Sequence, residues 1–100
     1  MNNLMREIIW SNLAESDYEN NINYLLEEWS EKEALRFVNS VKNHLEIIAS
    51  SPYIFPDKNG DGYRSAVIVS QITLYYKIHS NQIRLHRFWN NYKNPANLKF

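Results

Sequence analysis

Ile72 to Asn90 constrains the fold more than any other stretch. Two apolar runs meet there at Ser80-Asn81. Ile72, Leu74, Tyr76 and Ile78 recur every second residue, and Ile83, Leu85 and then Arg87 do the same beyond the joint. Period two puts such a set on one face of a strand. Two matched runs joined by two residues predict a β-hairpin. Asn81 tolerates the left-handed backbone such a turn needs. The apolar face of the hairpin needs a lid. Polar residues return between Arg87 and Lys93, which marks that end as the working end of the chain.

The lid is upstream. Met5 to Trp10 is rich in β-formers and predicts a first strand, and Ser11 is placed to cap a helix after it. From Leu13 to Trp29, Ala14, Tyr18, Ile22, Leu25, Leu26 and Trp29 fall at helical spacing. Asp17, Glu19, Glu27 and Glu28 then face water. Ser30-Glu31-Lys32-Glu33 fits a capping box and opens a second helix. Its stripe is Ala34, Phe37, Val38, Val41, Leu45 and Ile48, and Ser51-Pro52 ends it. With so little chain between them, the two helices form a tight hairpin. Pro52 to Gly62 is a loop, with Tyr53, Ile54 and Phe55 expected to tuck it against the core. Tyr63 to Ser70 is apolar on both faces through Ala66-Val67-Ile68-Val69, which predicts a central strand. The order is β-α-α-β-β-β. We therefore expect a single α+β domain over residues 1–100, with a helical hairpin packed on a small antiparallel sheet.

Composition excludes several classes of function. The chain has no cysteine, so disulfides, thiolate zinc sites and thiol catalysis are out. No apolar run is long enough to span a membrane, and the N-terminus lacks the apolar segment of a secretory signal. A cytoplasmic location is expected. Lysine plus arginine balance aspartate plus glutamate at 11 each. The balance hides an asymmetry: no acid follows Asp61, whereas Arg64, Lys77, Arg84, Arg87, Lys93 and Lys99 do. Such a basic half either meets an anionic partner or is simply a set of solvated strand ends. Zero net charge argues against strong nonspecific binding of nucleic acid.

Asp57-Lys58-Asn59-Gly60-Asp61-Gly62 matches the opening of a calcium-binding loop. Ile68 stands where the bidentate glutamate is needed, so a polar turn built on Asx and glycine chemistry is expected instead. His44, His79 and His86 lack a third partner for zinc, and no metal or cofactor is expected. Arg87 carries more weight. By alternation it joins Ile83 and Leu85 on the core side, where an unpaired guanidinium is costly. It is expected at the sheet margin with a polar partner, either a helix carboxylate or a group on a target. His86, Arg87, Tyr92 and Lys93, with Arg64 and Lys77 nearby, are also the residue types that phosphodiester cleavage requires: base, acid and cations around the phosphate.

An ordered series over Ile8 to Leu98 resembles the RelE/ParE superfamily of type II toxin–antitoxin toxins, also called plasmid stabilisation proteins. It comprises the strand ending in Trp10-Ser11, Ala14 with Asp17, Ile22 with Tyr24-Leu25, the Ala34/Phe37 helix with Leu45, Pro52, and Arg64 before a strand. Leu74 to Ile78, then Ile83 to Phe88, and a basic tail with Asn94-Pro95 complete it. The resemblance implies the same β-α-α-β-β-β fold and a bacterial toxin held in check by a cognate antitoxin. RelE-like members cut mRNA on the ribosome; ParE-like members act on DNA gyrase without that catalytic set. Thr73 stands where both branches often carry arginine. The Tyr63-to-Ser70 strand, with Arg64 as its one charge and no lysine, stands where the ribonucleases have a lysine-rich region. The ParE-like branch is therefore favoured, with Arg64, Lys77, Arg87, Trp89 and Lys93 expected to contact target or antitoxin. The alternative is a ribosome-dependent mRNA endonuclease using His86, Arg87, Tyr92 and Lys93. An antitoxin segment would lie over the helical hairpin and sheet edge, with Tyr24, Trp29, Phe88 or Trp89 as exposed anchors.

Overall fold

The computed structural model describes residues 5–100. The order is β1 (Glu7–Trp10), α1 (Asn12–Glu28), α2 (Glu31–Ser50), β2 (Tyr63–Val69), β3 (Ile72–His79) and β4 (Gln82–Asn90), followed by a 3-10 turn at Pro95–Asn97. Two helices pack on one face of a four-stranded sheet ordered β1-β4-β3-β2. The α+β class and the element order match the sequence-based expectation. The sheet is mixed rather than wholly antiparallel, because β1 runs parallel to β4. A parallel pair needs a long crossover, and here the helices with β2 and β3 supply it. Among the described residues, no helix is long and apolar enough to cross a membrane.

Both helices start where the serines predict. The Ser11 hydroxyl accepts the Ala14 N–H at 3.0 Å, and Ser30 accepts the Glu33 N–H at 3.1 Å. Ala14 and Leu25 from α1 and Ala34, Phe37, Val41 and Ile48 from α2 are buried against the sheet. Leu26 and Trp29, placed on the apolar stripe by spacing, are each 47% exposed. Leu26 lies about 100° around the helix from Leu25. Trp29 is the C-cap, where helical periodicity no longer applies.

The sheet presents Ile72, Leu74, Tyr76, Ile83, Leu85 and Phe88 to the helices, all essentially inaccessible. Each such side chain stabilises the fold by roughly 1.5–3 kcal/mol. Trp10, Tyr18, Phe37 and Phe88 form one aromatic cluster, with ring centroids 5.3 to 6.1 Å apart. The hairpin turn is Ser80-Asn81 as expected, but the positive φ falls on Ser80, at 55°, not on Asn81.

Two further expectations are corrected. The strand from Tyr63 is an edge strand, not a central one, since β3 flanks it on one side only. Val67 faces solvent, 59% exposed, while Ala66 and Ile68 are buried. In the preceding loop, Tyr53 and Ile54 are exposed rather than tucked in. Phe55 alone of the three packs against the core, and the loop's backbone supplies further fastening. The Tyr76 hydroxyl donates to the Pro52 carbonyl at 2.7 Å, and Arg64 Nη1 donates to the Phe55 carbonyl at 2.7 Å. Burial pushes the Tyr76 hydroxyl up to about 12 against the opposing pull of Arg64, so it remains a donor.

Candidate functional site

β1 ends at Trp10, opposite Leu85, yet β4 continues to Asn90. The open edge of β4 is closed by polar side chains from α1 and its N-cap. The Ser11 hydroxyl donates to the His86 carbonyl at 3.1 Å. Asp17 accepts the Phe88 N–H at 3.1 Å, and Asn21 donates to the Phe88 carbonyl at 2.8 Å. A buried strand edge leaves unpaired backbone groups that cost free energy unless met. Here a helix meets them in place of a strand.

At the same place β4 carries a bulge. Tyr76 pairs with Leu85 and Tyr75 with Arg87, which leaves His86 as the extra residue. One inserted residue reverses the alternation beyond it. Phe88, not Arg87, therefore continues the core face begun by Ile83 and Leu85. The alternation that put Arg87 on the core side is corrected: Arg87 lies opposite Tyr75, at the sheet margin where a polar partner was expected. Its guanidinium binds Asp17 in bidentate fashion, at 2.7 and 3.0 Å, and both side chains are only 13% exposed. The third nitrogen donates to the Lys99 carbonyl at 2.8 Å. Of the two partners left open for Arg87, the helix carboxylate is the one present. Asp17, expected to face water, is that carboxylate.

The sheet face away from the helices forms a second constellation. Lys77 Nζ sits 4.5 Å from the centre of the Tyr63 ring, and Arg84 pairs with Lys77 across β3 and β4. The His86 ring meets Tyr63 edge-on at 5.0 Å. Burial lowers the His86 pKa below its usual value, and the charges of Lys77 and Arg84 lower it further. Its imidazole is therefore neutral at physiological pH. Phe100, from the C-terminal segment, stacks on Tyr63 at 4.0 Å and 13°. A groove of about 220 Å³ opens beside it, floored by Tyr63, Ser65, Thr73 and Tyr75 and rimmed by Lys58 and Leu98.

The remaining candidates lie elsewhere. Arg64 pairs in register with the core residue Tyr76, and its guanidinium lies 4.9 Å over Tyr53. It does not join Lys77 on the outer face. Trp89, expected as an exposed anchor, is only 7% exposed, with Arg87 and Lys93 lying 5.3 and 5.9 Å from its ring. Phe88, also expected to be exposed, is in the core. Two exposed aromatics, Trp29 and Tyr92, lie 6.0 Å apart, with the Trp29 indole donating to the half-buried Tyr24 hydroxyl. His86 thus belongs to the Tyr63 group and Tyr92 to the Trp29 group. In the polar loop, Asp57 accepts the N–H groups of Gly60 and Gly62, and Asp61 accepts that of Tyr63, as Asx turns do. Sequence reasoning reads Asp17 as solvated and passes over Asn21 and Phe100. Only Asp17 carries a signal, its place in the ordered series shared with the toxin superfamily.

Comparison with known proteins places the chain among toxins. Residues 8–92 match the family model described as ParE toxin of type II toxin-antitoxin system, parDE. A structure of the chromosomal ParDE toxin–antitoxin system from P. aeruginosa superposes with a TM-score of 0.71, at 12% identity, covering 86% of this chain and 96% of that one. The YoeB dimer from Staphylococcus aureus gives 0.62 at 21% identity, over 88% and 99% of the two chains. The E. coli DinJ-YafQ toxin–antitoxin complex gives 0.57 at 17%, over 87% and 93%. No curated protein sequence matches.

Proposed function

The chain belongs to the ParE toxin family of type II toxin–antitoxin systems, and from that premise we propose that it arrests growth by binding an essential target, DNA gyrase, and that a cognate antitoxin neutralises it. On this reading the target-facing surface is the outer sheet face with its cationic margin: Lys77, Arg84, Lys93 and the rim of Arg87. Arg64 and Trp89 then support the surface rather than form it. The toxin acts by occupancy, without breaking a covalent bond.

The observation that carries this choice is that the base and acid a nuclease would need, His86 and Tyr92, sit in different side-chain groups. His86 sits in the Tyr63 cluster, Tyr92 stands against Trp29, and Arg87 is held by Asp17. General acid–base cleavage needs base and acid within hydrogen-bond reach of one phosphate. Purified protein should inhibit supercoiling by gyrase in proportion to its concentration. Unimpaired supercoiling at saturating protein would sink the proposal.

One observation favours the RelE-like alternative, cutting of mRNA on the ribosome. His86 is a neutral base flanked by Lys77 and Arg84, which could hold a phosphate. Cleavage of ribosome-bound mRNA, lost in His86→Gln, would establish that reading.

A further inference from the structure

We propose that the segment from Asn94 to Phe100 is an autoinhibitory strap, seated in the groove of the outer sheet face and lifted when a target engages that face. The inference rests on the reading of the outer face as target-facing.

Phe100 is placed unlike a core residue. Its ring stacks flat on Tyr63 and meets Tyr75 and His86 edge-on at 5.5 and 6.1 Å, yet 46% of it stays exposed. It lies on the rings of the outer sheet face rather than against the helix-side core. The groove beside it still has room for another group. The segment's remaining attachments are few. Leu98 lines the groove, and the Lys99 carbonyl accepts from Arg87. The other hydrogen bonds, from the N–H groups of Ala96 and Asn97 to Asn94 and of Leu98 to the Pro95 carbonyl, close the segment's own turn. A stretch with so few anchors opens at low free-energy cost. Lifting it uncovers the faces of Tyr63 and Tyr75 and the edge of His86. It also frees the one Arg87 nitrogen that Asp17 does not hold. The same motion therefore exposes the ring surface and releases a cationic donor.

Apparent affinity scales with the fraction of molecules in the open state. Removing one aromatic stack should raise that fraction roughly two- to tenfold. The first test is growth arrest by the full chain expressed without antitoxin, a readout that assumes no particular target. Phe100→Ala should arrest growth at a correspondingly lower protein level, and Phe100→Trp, which keeps the stack, at the wild-type level. A Phe100→Ala protein with unchanged melting that needs an equal or higher level overturns the strap. The second test locks it. The chain has no cysteine, so a Lys58→Cys/Leu98→Cys pair on the rim of the groove can be oxidised selectively. The oxidised protein should lose gyrase inhibition and regain it on reduction; equal inhibition in both states overturns the strap. If the reduced form leaves gyrase untouched while growth still stops, the gyrase reading falls instead. The oxidised and reduced forms are then compared on ribosome-bound mRNA. Cleavage only after reduction supports the strap there, and equal cleavage in both states overturns it.

Discussion

Asp17 holds three donors at once: two from Arg87 and the Phe88 backbone N–H. Helical spacing could not reveal this. Period 3.6 sets Asp17 off the apolar stripe, and an acid off the stripe reads as solvated. What makes it buried is tertiary: β1 ends before β4 does. Removing one partner of a largely buried pair leaves the other charge uncompensated, so Asp17→Ala should cost about 2–3 kcal/mol in urea unfolding. Replacing both partners, Asp17→Ala with Arg87→Met, should cost less than the sum of the single changes. Additive costs would mean the pair is not coupled. His86 supplies a pH dependence. Its folded-state pKa lies below the usual 6.5, so above 6.5 both folded and unfolded chains are neutral there. As pH falls through 6.5 the unfolded chain takes up a proton first, and stability is lost down to the folded-state value. Urea midpoints measured from about pH 7.5 to about 5.5 should fall, and less steeply in His86→Gln. An identical slope in the variant would mean that other groups govern the window.

Among the elements, the helices were the most legible and β4 the least. Two serine caps and two apolar stripes define α1 and α2 to within a residue. The hairpin was legible too, down to its two-residue turn. The bulge at His86 was not, because HRFW alternates neither way. A strand one residue too long for its partner looks like any other strand until the partner is known. The position of β2 was misread for a related reason. Val67 completes an apolar run, yet it lies on an outer edge left uncovered by the helices. The joining of α1 to β4 is the least local feature of all, since Ser11 and Asn21 act on residues far along the chain. Asn21 is the sharper test of it. It is 5% exposed, and its amide is the partner of the Phe88 carbonyl. Asn21→Ala should cost about 1–3 kcal/mol by leaving that carbonyl unmet. Hydrogen exchange should show the loss first in Phe88 and its β3 neighbours. Loss spread evenly over the sheet would indicate that α1 packs on β4 without closing its edge.

At the scale of the whole molecule, zero net charge is the sum of two opposed halves. Residues 1–50 hold nine acids and four cations, and residues 51–100 hold two acids and seven cations. The helices and β1 thus carry −5, and the loop, hairpin sheet and tail +5. The fold keeps the halves apart, helices on one face and most of the sheet's cations on the other or at its margin. The Asp17–Arg87 pair cancels only one charge from each. The molecule measures 45 × 30 × 22 Å, so at ordinary ionic strength, where the screening length is roughly 8 Å, an approaching partner meets one pole and not the average. A neutral chain can therefore still steer an anionic partner onto its sheet face or a cationic one onto its helices. The prediction is chromatographic. At neutral pH and about 50 mM salt, where the screening length is still shorter than the molecule, the protein should be retained on both cation and anion exchangers, and about 500 mM salt should release it from each. Lys77→Gln with Arg84→Gln should weaken retention on the cation exchanger and leave the anion exchanger unaffected. Passage through both columns unretained would mean that the charges mix over one surface, and an anionic target would then have no preferred face to approach.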